Sequence, residues 1–336
     1  MSTLEQLRKY TTIVCDTGDF ETISQYSPQD GTTNPSHILN AVKLQKYTHT
    51  IPAAAAYGIS QAPDLEGRVQ HAMLHLMVSF GAEILQRLPG RVSTEVDAAY
   101  SFDRDRTVAA ARDMVRLYET RGVGRQRVLI KIASTWEGLQ ACRVLEREGI
   151  HCNMTVLFSM VQAKLAAEAG ASVISPFVGR TMDWFQKYFP GKDYTGPKDP
   201  GVQLVSDIFR YYKASGVKTE IMAASLRSID ECVHLAGVDL MTIHVTVLEE
   251  LKNADYEVKP RLLAKNNHLD PHKASSGYLQ DEARFRLDLF MDAMATEKIN
   301  ESLRIFFRDG EELKKLLRDA IISQTSGQSN GHHASD

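Results

Sequence analysis

The sequence lacks several patterns that would place it in a specialised class of proteins. None of its apolar runs approaches the roughly 18 residues needed to cross a membrane, so no membrane span is predicted. Its four cysteines (Cys15, Cys142, Cys152 and Cys232) form no CxxC pair, so we expect reduced thiols rather than a structural zinc site or a disulfide scaffold. No GxGxxG motif follows a predicted strand, which removes the main support for a dinucleotide cofactor.

The sequence also lacks an excess of charge of one sign. It has 39 Lys and Arg residues against 42 Asp and Glu residues, and a formal net charge of −3. This balance predicts no extended basic surface for nucleic acid or an anionic membrane, so any recognition of phosphate must be local. The first twenty residues lack the apolar core and cleavage site of a signal peptide, and we expect a cytoplasmic protein.

What the sequence does contain is a regular alternation of short β-rich runs with longer helical patterns. Three of the helices are predicted to begin with an S-x-x-E/Q capping box, at Ser134, Ser159 and Ser228, each within a few residues of a strand end. Glycines fall near the ends of these helices, as expected for C-caps. The predicted strands cover 13–17, 30–34, 91–97, 128–133, 153–158, 172–179, 219–225 and 240–245.

Eight strand–helix units predict an α/β fold, a single closed (β/α)8 barrel of the TIM type with extra helices. They fit such a barrel better than an open doubly wound sheet. The length of 336 residues would also allow two domains, but no boundary is visible before the end of the chain. We therefore predict one barrel domain over 1–322. The small, polar residues 323–336 are predicted to form a disordered tail.

Lys131 is the most distinctive candidate for chemistry. It interrupts the apolar run 128–133, and period-two geometry places it on the same face as Leu129 and Ala133. Burial favours the neutral amine of a lysine, which can attack a carbonyl group. The alternative is a lysine that extends its charged end to solvent from the end of a strand. Polar residues at the ends of the other predicted strands favour the first interpretation.

Carboxylates lie at the ends of two predicted strands, Asp16 in the first and Glu95 with Asp97 in the third. Acids that face a barrel interior are costly unless they hold a metal, an ion pair or a catalytic proton. A metal aldolase would need histidines nearby, and His244 is the only one at a predicted strand end. The pattern favours general acid–base chemistry without a metal, with structural ion pairing as the alternative.

Arg180 and Arg227 follow the sixth and seventh predicted strands, and Ser225 precedes a capped helix. An arginine pair beside the amides of a helix start is a suitable anion site, in a region where barrel enzymes bind phosphate. Two surface arginines without a ligand are the alternative.

Several motifs occur in an order that resembles the transaldolase family, from residue 11 to about residue 317. They are DGTTNPS at 30–36, GRVSTEVDA at 90–98, LIKIASTWEG at 129–138, NMTVLFS at 153–159, ISPFVGR at 174–180, KDPGV at 198–202 and ASLR at 224–227. The resemblance implies a class I aldolase of the pentose phosphate pathway, a homodimeric transferase that needs neither metal nor cofactor. Its members move a dihydroxyacetone unit from sedoheptulose 7-phosphate or fructose 6-phosphate to glyceraldehyde 3-phosphate or erythrose 4-phosphate.

The resemblance also implies a role for each matched residue. Lys131 would form the Schiff base and Asp16 would exchange the proton of the C4 hydroxyl, while Glu95 and Thr155 would hold a water and relay protons. The remaining matches would bind the substrate: Asn34, Asn153 and Ser175 the dihydroxyacetone part, and Arg180, Ser225 and Arg227 the phosphate. Phe177 stands where fructose 6-phosphate aldolases carry tyrosine, which favours transfer over release of free dihydroxyacetone.

The sequence departs from the family pattern at some positions. His244 and Val245 stand where a small residue and proline are usual, and Leu287 stands where tryptophan is common. These departures leave two further hypotheses open. One is a transaldolase paralogue with an altered substrate range, and the other is a non-catalytic barrel that binds sugar phosphates.

Overall fold

The computed structural model describes residues 1–263 and 276–331, with the backbone alone from 327 onward. Its eight strands pair in parallel in the order of the sequence, and β8 pairs with β1 to close the barrel. The prediction of a closed eight-stranded barrel is therefore confirmed. The strands are β1 (Thr12–Asp16), β2 (Asp30–Thr32), β3 (Val92–Glu95), β4 (Val128–Ala133), β5 (Cys152–Leu157), β6 (Val173–Pro176), β7 (Glu220–Ala223) and β8 (Leu240–His244).

The described residues also form thirteen α-helices, most of which cover the outside of the barrel. They are α1 (Thr3–Leu7), α2 (Pro35–Val42), α3 (Thr50–Gln61), α4 (Leu65–Leu85), α5 (Arg104–Thr120), α6 (Trp136–Arg147), α7 (Met160–Ala169), α8 (Val178–Tyr188), α9 (Pro200–Ala214), α10 (Ile229–His234), α11 (Val245–Asn253), α12 (Glu282–Phe290) and α13 (Ala293–Gly331). None of the helices in this part of the chain is long and apolar enough to cross a membrane.

Helix caps explain why some strands end earlier than predicted. Asn34 is the N-cap of α2 and accepts a hydrogen bond from the His37 N–H, so β2 ends at Thr32. Asp97 caps a short 3₁₀ turn and forms an ion pair with Lys314, so β3 ends at Glu95. The predicted strand 91–97 is therefore two residues too long at this end.

Two of the three predicted caps are at the predicted residue. Ser159 and Ser228 accept hydrogen bonds from the third helical N–H of α7 and α10. In α6, however, the cap is Thr135, because its hydroxyl accepts from the Gly138 N–H while Ser134 donates to the Thr155 carbonyl. A one-residue error in such a prediction is expected where adjacent residues can both cap.

The last helix lies outside the strand–helix alternation. It packs against α2, α3 and α4 and buries Leu313, Leu317 and Ile321 completely. The structure continues this helix to Gly331, past the predicted tail boundary at 323, and the Gln324 side chain donates a hydrogen bond to the Pro52 carbonyl. The prediction of disorder for 332–336 lies outside the described residues. The four cysteines are buried and unpaired, as expected.

Candidate active site

Lys131 projects into the barrel interior near the carboxyl ends of the strands. Leu129, two residues earlier, belongs to a layer of apolar side chains that closes the barrel beneath it. Lys131 is only 5% exposed, and its Nζ lies 3.2 Å from Glu95 Oε2 on the neighbouring β3 and 3.4 Å from the Thr33 carbonyl oxygen. The period-two pattern in the sequence therefore predicted the correct face. The lysine points inward and does not reach past the rim to solvent.

Three buried side-chain oxygens near the carboxyl end of β4 have no hydrogen-bond partner among the described residues. They are Thr33 Oγ1, Glu95 Oε2 and Thr155 Oγ1, although Glu95 Oε2 is also in ion-pair contact with Lys131. A buried polar atom left unpaired costs about 1–3 kcal/mol, so such atoms are few in proteins and concentrate at functional sites. These oxygens can accept or donate hydrogen bonds to a water or a sugar hydroxyl.

Asp16 ends β1 and is held by donors from two other elements. The Thr32 hydroxyl donates to its Oδ1 at 2.8 Å, and His37 Nε2 lies 3.3 Å from its Oδ2. Burial raises the pKa of Asp16, but the charges and hydrogen bonds of His37, Lys131 and Thr32 outweigh it and hold this pKa well below the usual range. Asp16 is therefore an ionised carboxylate at neutral pH.

Glu95 has the opposite balance. Burial raises its pKa. The nearby charges of Lys131 and Arg180 lower this pKa, but by less than burial raises it. The site therefore holds two carboxyl groups on either side of one lysine, one kept ionised and one inclined to keep a proton. Such a divergence assigns different proton-transfer roles to two acids in one site.

A chain of hydrogen bonds links β6, β5 and β3 beside Lys131. Ser175 Oγ donates to Asn153 Oδ1 at 2.7 Å, and Asn153 Nδ2 donates to Ser93 Oγ at 3.0 Å. Asn153 is completely buried, and its backbone is in register with Lys131 on the adjacent strand. This chain fixes the orientation of the Asn153 amide relative to the lysine.

The predicted phosphate residues lie at the start of α8 and in the loop after β7. The Arg180 guanidinium lies between the rings of Phe177 and Phe306, at 5.1 and 5.3 Å from their centroids, and donates to Ser302 Oγ. Burial and then the charge of Arg227 lower the pKa of Arg180. Two guanidinium groups this close repel each other, and an anion between them relieves the repulsion.

The loop of Ser225 fits closely against the start of α8. Ser225 has a φ of +58°, and its carbonyl accepts the Gly179 N–H at 3.1 Å. A Cβ at Gly179 would lie 2.3 Å from the Arg227 Cγ and 2.5 Å from the Ser225 carbonyl oxygen. Glycine at 179 therefore allows the Arg227 loop to approach the helix that carries Arg180.

One cavity of about 170 Å³ opens over this region. Eight of the eleven predicted site residues line it, and the other three (Glu95, Asn153 and Thr155) lie on β3 and β5, the two strands that pair with the Lys131 strand. The eight are Asp16, Asn34, Lys131, Ser175, Phe177, Arg180, Ser225 and Arg227. The sequence predictions therefore fall in one place in the structure.

His37 and the residues that α13 brings to the cavity were not predicted from the sequence. His37 lies in the first turn of α2, directly after β2, which is a position from which a barrel enzyme can supply site residues. That position was the available signal. Phe306 also lines the cavity, but it lies on α13, far from any strand in the sequence, and nothing in the strand pattern could have indicated it.

The acids of the site have cationic or hydrogen-bonding partners within the protein, which leaves little reason for a metal there. A group of His, Cys, Asp or Glu close enough to hold a metal occurs elsewhere in the described chain, at Cys142, Glu146 and Cys152. Its Glu146 carboxylate already accepts the Cys152 and Ser172 N–H groups. This group contains the first residue of β5, and so lies at the opposite end of that strand from the cavity.

Comparisons with known proteins give a consistent result. The family model described as transaldolase/fructose-6-phosphate aldolase matches residues 13–317. A transaldolase of Schizosaccharomyces pombe is 49% identical over 320 residues, which cover 95% of this chain and 98% of that protein. A transaldolase of Shewanella sp. strain MR-4 is 47% identical over 322 residues, which cover 96% of this chain and 99% of that protein.

Proposed function

The chain belongs to the transaldolase/fructose-6-phosphate aldolase family, and we propose that Lys131 is the Schiff-base lysine of its transaldolase reaction. The protein is a transferase that moves a dihydroxyacetone unit from sedoheptulose 7-phosphate or fructose 6-phosphate to glyceraldehyde 3-phosphate or erythrose 4-phosphate. The observation that carries the residue assignment is the buried Lys131 between two carboxyl groups whose pKa values diverge.

In the first step the Lys131 amine attacks the C2 carbonyl of the ketose phosphate. Glu95 is the nearest base to Lys131 Nζ, at 3.2 Å, and burial raises its pKa, so it can take the proton that the lysine releases. After the attack, the nitrogen passes a proton to the C2 oxygen, which gives the carbinolamine. Glu95 then returns its proton to this hydroxyl group, which leaves as water. The unpartnered hydroxyl of Thr155 can hold this water near Glu95. The product is an iminium at C2.

In the second step Asp16 accepts the proton of the C4 hydroxyl. The C3–C4 bond breaks, its electron pair moves into the iminium to form an enamine on Lys131, and the aldehyde phosphate leaves. An ionised carboxylate is needed for this step, and the environment of Asp16 keeps it ionised. The same proton returns from Asp16 to the new hydroxyl oxygen when the enamine attacks the acceptor aldehyde.

The remaining predicted residues bind the two ends of the sugar. Ser175 and Asn34 line the cavity with Lys131, and the Asn34 side chain is held by the His37 N–H. Hydrogen bonds with Ser175 and Ser93 orient the Asn153 amide. Asn34, Asn153 and Ser175 are therefore placed to bind the dihydroxyacetone hydroxyls. Arg180, Arg227 and Ser225 bind the phosphate. The apolar Phe177 ring lies in the same cavity and offers no hydroxyl group to the enamine.

A coupled transaldolase assay on wild type and Lys131→Ala tests this assignment. The variant is expected to lose at least about four orders of magnitude in kcat, because no other residue of the proposed mechanism can form the covalent intermediate. Lys43→Ala, at an exposed lysine outside the cavity, is the matched control and is expected to retain wild-type kcat. Substantial turnover by Lys131→Ala would exclude the Schiff-base role.

A transaldolase with an altered substrate range is the second candidate, because His244 reaches the cavity at a position where the family usually has a small residue. A panel of aldehyde acceptors separates the two. Ordinary kinetics with sedoheptulose 7-phosphate and glyceraldehyde 3-phosphate would remove the second candidate. The non-catalytic barrel is not favoured, because a binding protein has no need of the Lys131, Glu95 and Asp16 arrangement.

We further propose a place in the pentose phosphate pathway, a cytoplasmic location and a homodimer. All three rest on the family membership of the chain. Light scattering coupled to size-exclusion chromatography tests the homodimer, and a monomer mass at micromolar concentration would contradict it.

A further inference from the structure

Two histidines that the proposed mechanism does not use lie beside Asp16. His37 comes from α2 and His244 from the end of β8, and their rings are nearly parallel, at 19°, with centroids 5.8 Å apart. Both line the active-site cavity, and His37 Nε2 lies 3.3 Å from Asp16 Oδ2. The family resemblance implies a small residue at position 244, so the stacked pair goes beyond the shared mechanism.

We propose that His37 is a positioning residue that orients the Asp16 carboxylate. His244 supports it by holding the His37 ring in place. This inference rests on the proposed function, because it assigns a partner to the base of the carbon–carbon cleavage step.

The geometry supports orientation first. The two oxygens of Asp16 are held from different directions, Oδ1 by the Thr32 hydroxyl and Oδ2 by His37. The Thr32 hydroxyl lies 2.6 Å from that of Thr242, which fixes it in turn. A carboxylate held at both oxygens cannot rotate freely, so the lone pair that receives the C4 hydroxyl proton has one direction. Removing His37 frees one oxygen while leaving the other in place.

Three variants and a control test the proposal. His37→Gln keeps a neutral donor that can reach Asp16 but cannot take a proton, His37→Leu removes the donor, and His244→Ser removes the stacked ring while keeping a capping oxygen. His49→Gln is the control, because His49 is exposed, lies outside the cavity and makes no capping hydrogen bond with its side chain. We would measure kcat and KM for each variant, and trap the Lys131 adduct with borohydride.

His37→Leu is expected to lower kcat about tenfold with KM within about twofold, because the cleavage step loses an oriented base. His37→Gln is expected to lower kcat only about threefold, because glutamine keeps a donor that can reach Asp16. His244→Ser is expected to lower kcat less than His37→Leu, and to act through His37, so it adds nothing in the double variant His37→Leu/His244→Ser. His49→Gln should match wild type throughout.

The proposal is overturned if His37→Gln lowers kcat as much as His37→Leu, if His37→Leu raises KM without lowering kcat, or if the His244 effect adds fully to that of His37. A loss of kcat in His49→Gln equal to that in His37→Leu would overturn it as well. A missing Lys131 adduct in wild type is a separate failure, of the proposed function itself. A trapped adduct with wild-type kcat in His37→Leu contradicts only this inference.

Discussion

At the scale of residues, Asp16 and Glu95 are the two acids to which the proposed mechanism assigns its proton transfers. Both carboxyl groups are buried and near Lys131, yet their pKa values move in opposite directions. Asp16 receives donors from Thr32 and His37, whereas Glu95 has the Lys131 ion pair and an oxygen without a hydrogen bond. The charge interaction with His37, followed by the hydrogen bonds to Asp16 and the charge of Lys131, decides the difference, because burial alone would raise the pKa of both carboxyl groups.

Asp16→Asn separates the two proton transfers. The variant lacks the base for C3–C4 cleavage, so kcat should fall by about two to four orders of magnitude, while imine formation at Lys131 continues. Borohydride with fructose 6-phosphate should then trap the intact six-carbon sugar phosphate on Lys131, which mass spectrometry distinguishes from a three-carbon unit. Asp105→Asn, at an acid that is 81% exposed, is the control. A three-carbon adduct formed at the wild-type rate in Asp16→Asn would show that another group is the base.

Phe177→Tyr tests the balance between transfer and release. Phe177 packs edge-on against Phe158, at 5.3 Å between ring centroids, and lines the cavity. A hydroxyl group there can donate a hydrogen bond or hold a water near the enamine. We expect free dihydroxyacetone to increase several-fold relative to transfer product. The control is Phe158→Tyr, at a completely buried ring outside the cavity lining. An unchanged product ratio in Phe177→Tyr would remove this role.

Single residues were predictable where the backbone period determines their direction. Lys131 is the clear case, because alternation along β4 places it above the apolar layer of Leu129. His37 and Phe306 could not be assigned in the same way. Their places in the cavity depend on how α2 and α13 pack against the barrel, and a local pattern does not contain that information.

At the scale of elements, β5 contains an irregularity that the sequence conceals. Val156 has a φ of +56°, which is unfavourable for a β-branched residue, and the register between β5 and β6 shifts between Met154 and Leu157. The run NMTVLF predicted an ordinary strand because Thr155, Val156 and Phe158 are all of types that favour strands. The bulge directly follows Thr155, and such strain concentrates at functional sites.

Glu231→Gln tests the raised pKa of Glu231, a residue of α10 that contacts the Arg227 loop after β7. Glu231 accepts the Arg227 N–H at 2.5 Å, and burial raises its pKa to about 7, while burial raises the pKa of the neighbouring Asp199 to about 6. In the folded protein Glu231 keeps its proton up to about pH 7, whereas in the unfolded chain it releases this proton near pH 4.5. The free energy of unfolding therefore falls as pH rises from about 4.5 to about 7. Glutamine has no such proton to lose.

The free energy of unfolding of Glu231→Gln should therefore rise relative to wild type by roughly 2 kcal/mol between pH 5 and pH 8. Urea unfolding at the two pH values measures this change. Glu250→Gln, at an exposed glutamate, should show no such pH-dependent difference. A difference between Glu231→Gln and wild type that is the same at both pH values would contradict a raised pKa at Glu231.

The strand and helix order could be predicted from the sequence, because apolar periods and caps are local properties. The ends of elements were less predictable, since they depend on which of two neighbouring polar residues caps a helix, as at Ser134 and Thr135. The extent of α13 was least predictable. Its apolar residues are specified in the sequence, but the surfaces of α3 and α4 on which they pack are distant in sequence.

At the scale of the whole molecule, α13 ties the barrel together and contributes to its active site. Its first half brings Ser302 and Phe306 to Arg180, and its second half packs Leu313, Leu317 and Ile321 against the helices that precede β3. The end of the chain therefore stabilises the fold as well as the phosphate end of the cavity.

Ile321→Ala and Ile322→Ala form a matched pair for this role. Ile321 is completely buried and Ile322 is 46% exposed, although they are adjacent. Ile321→Ala should lower the free energy of unfolding by about 2–4 kcal/mol, because it leaves a cavity, and Ile322→Ala by less than about 1 kcal/mol. Urea unfolding measures both. Equal effects would contradict the packing of α13 against the barrel at this point.

The central claim is that Lys131 forms the covalent bond with the substrate, and reductive trapping tests it most directly. The protein has a second buried lysine, Lys298 on α13, which is paired with Glu301 and provides an internal comparison. After borohydride reduction with fructose 6-phosphate and proteolysis, the peptide that contains Lys131 should carry a reduced three-carbon unit, and the Lys298 peptide should be unmodified. An unmodified Lys131 peptide during turnover, or an adduct on Lys298, would contradict the account.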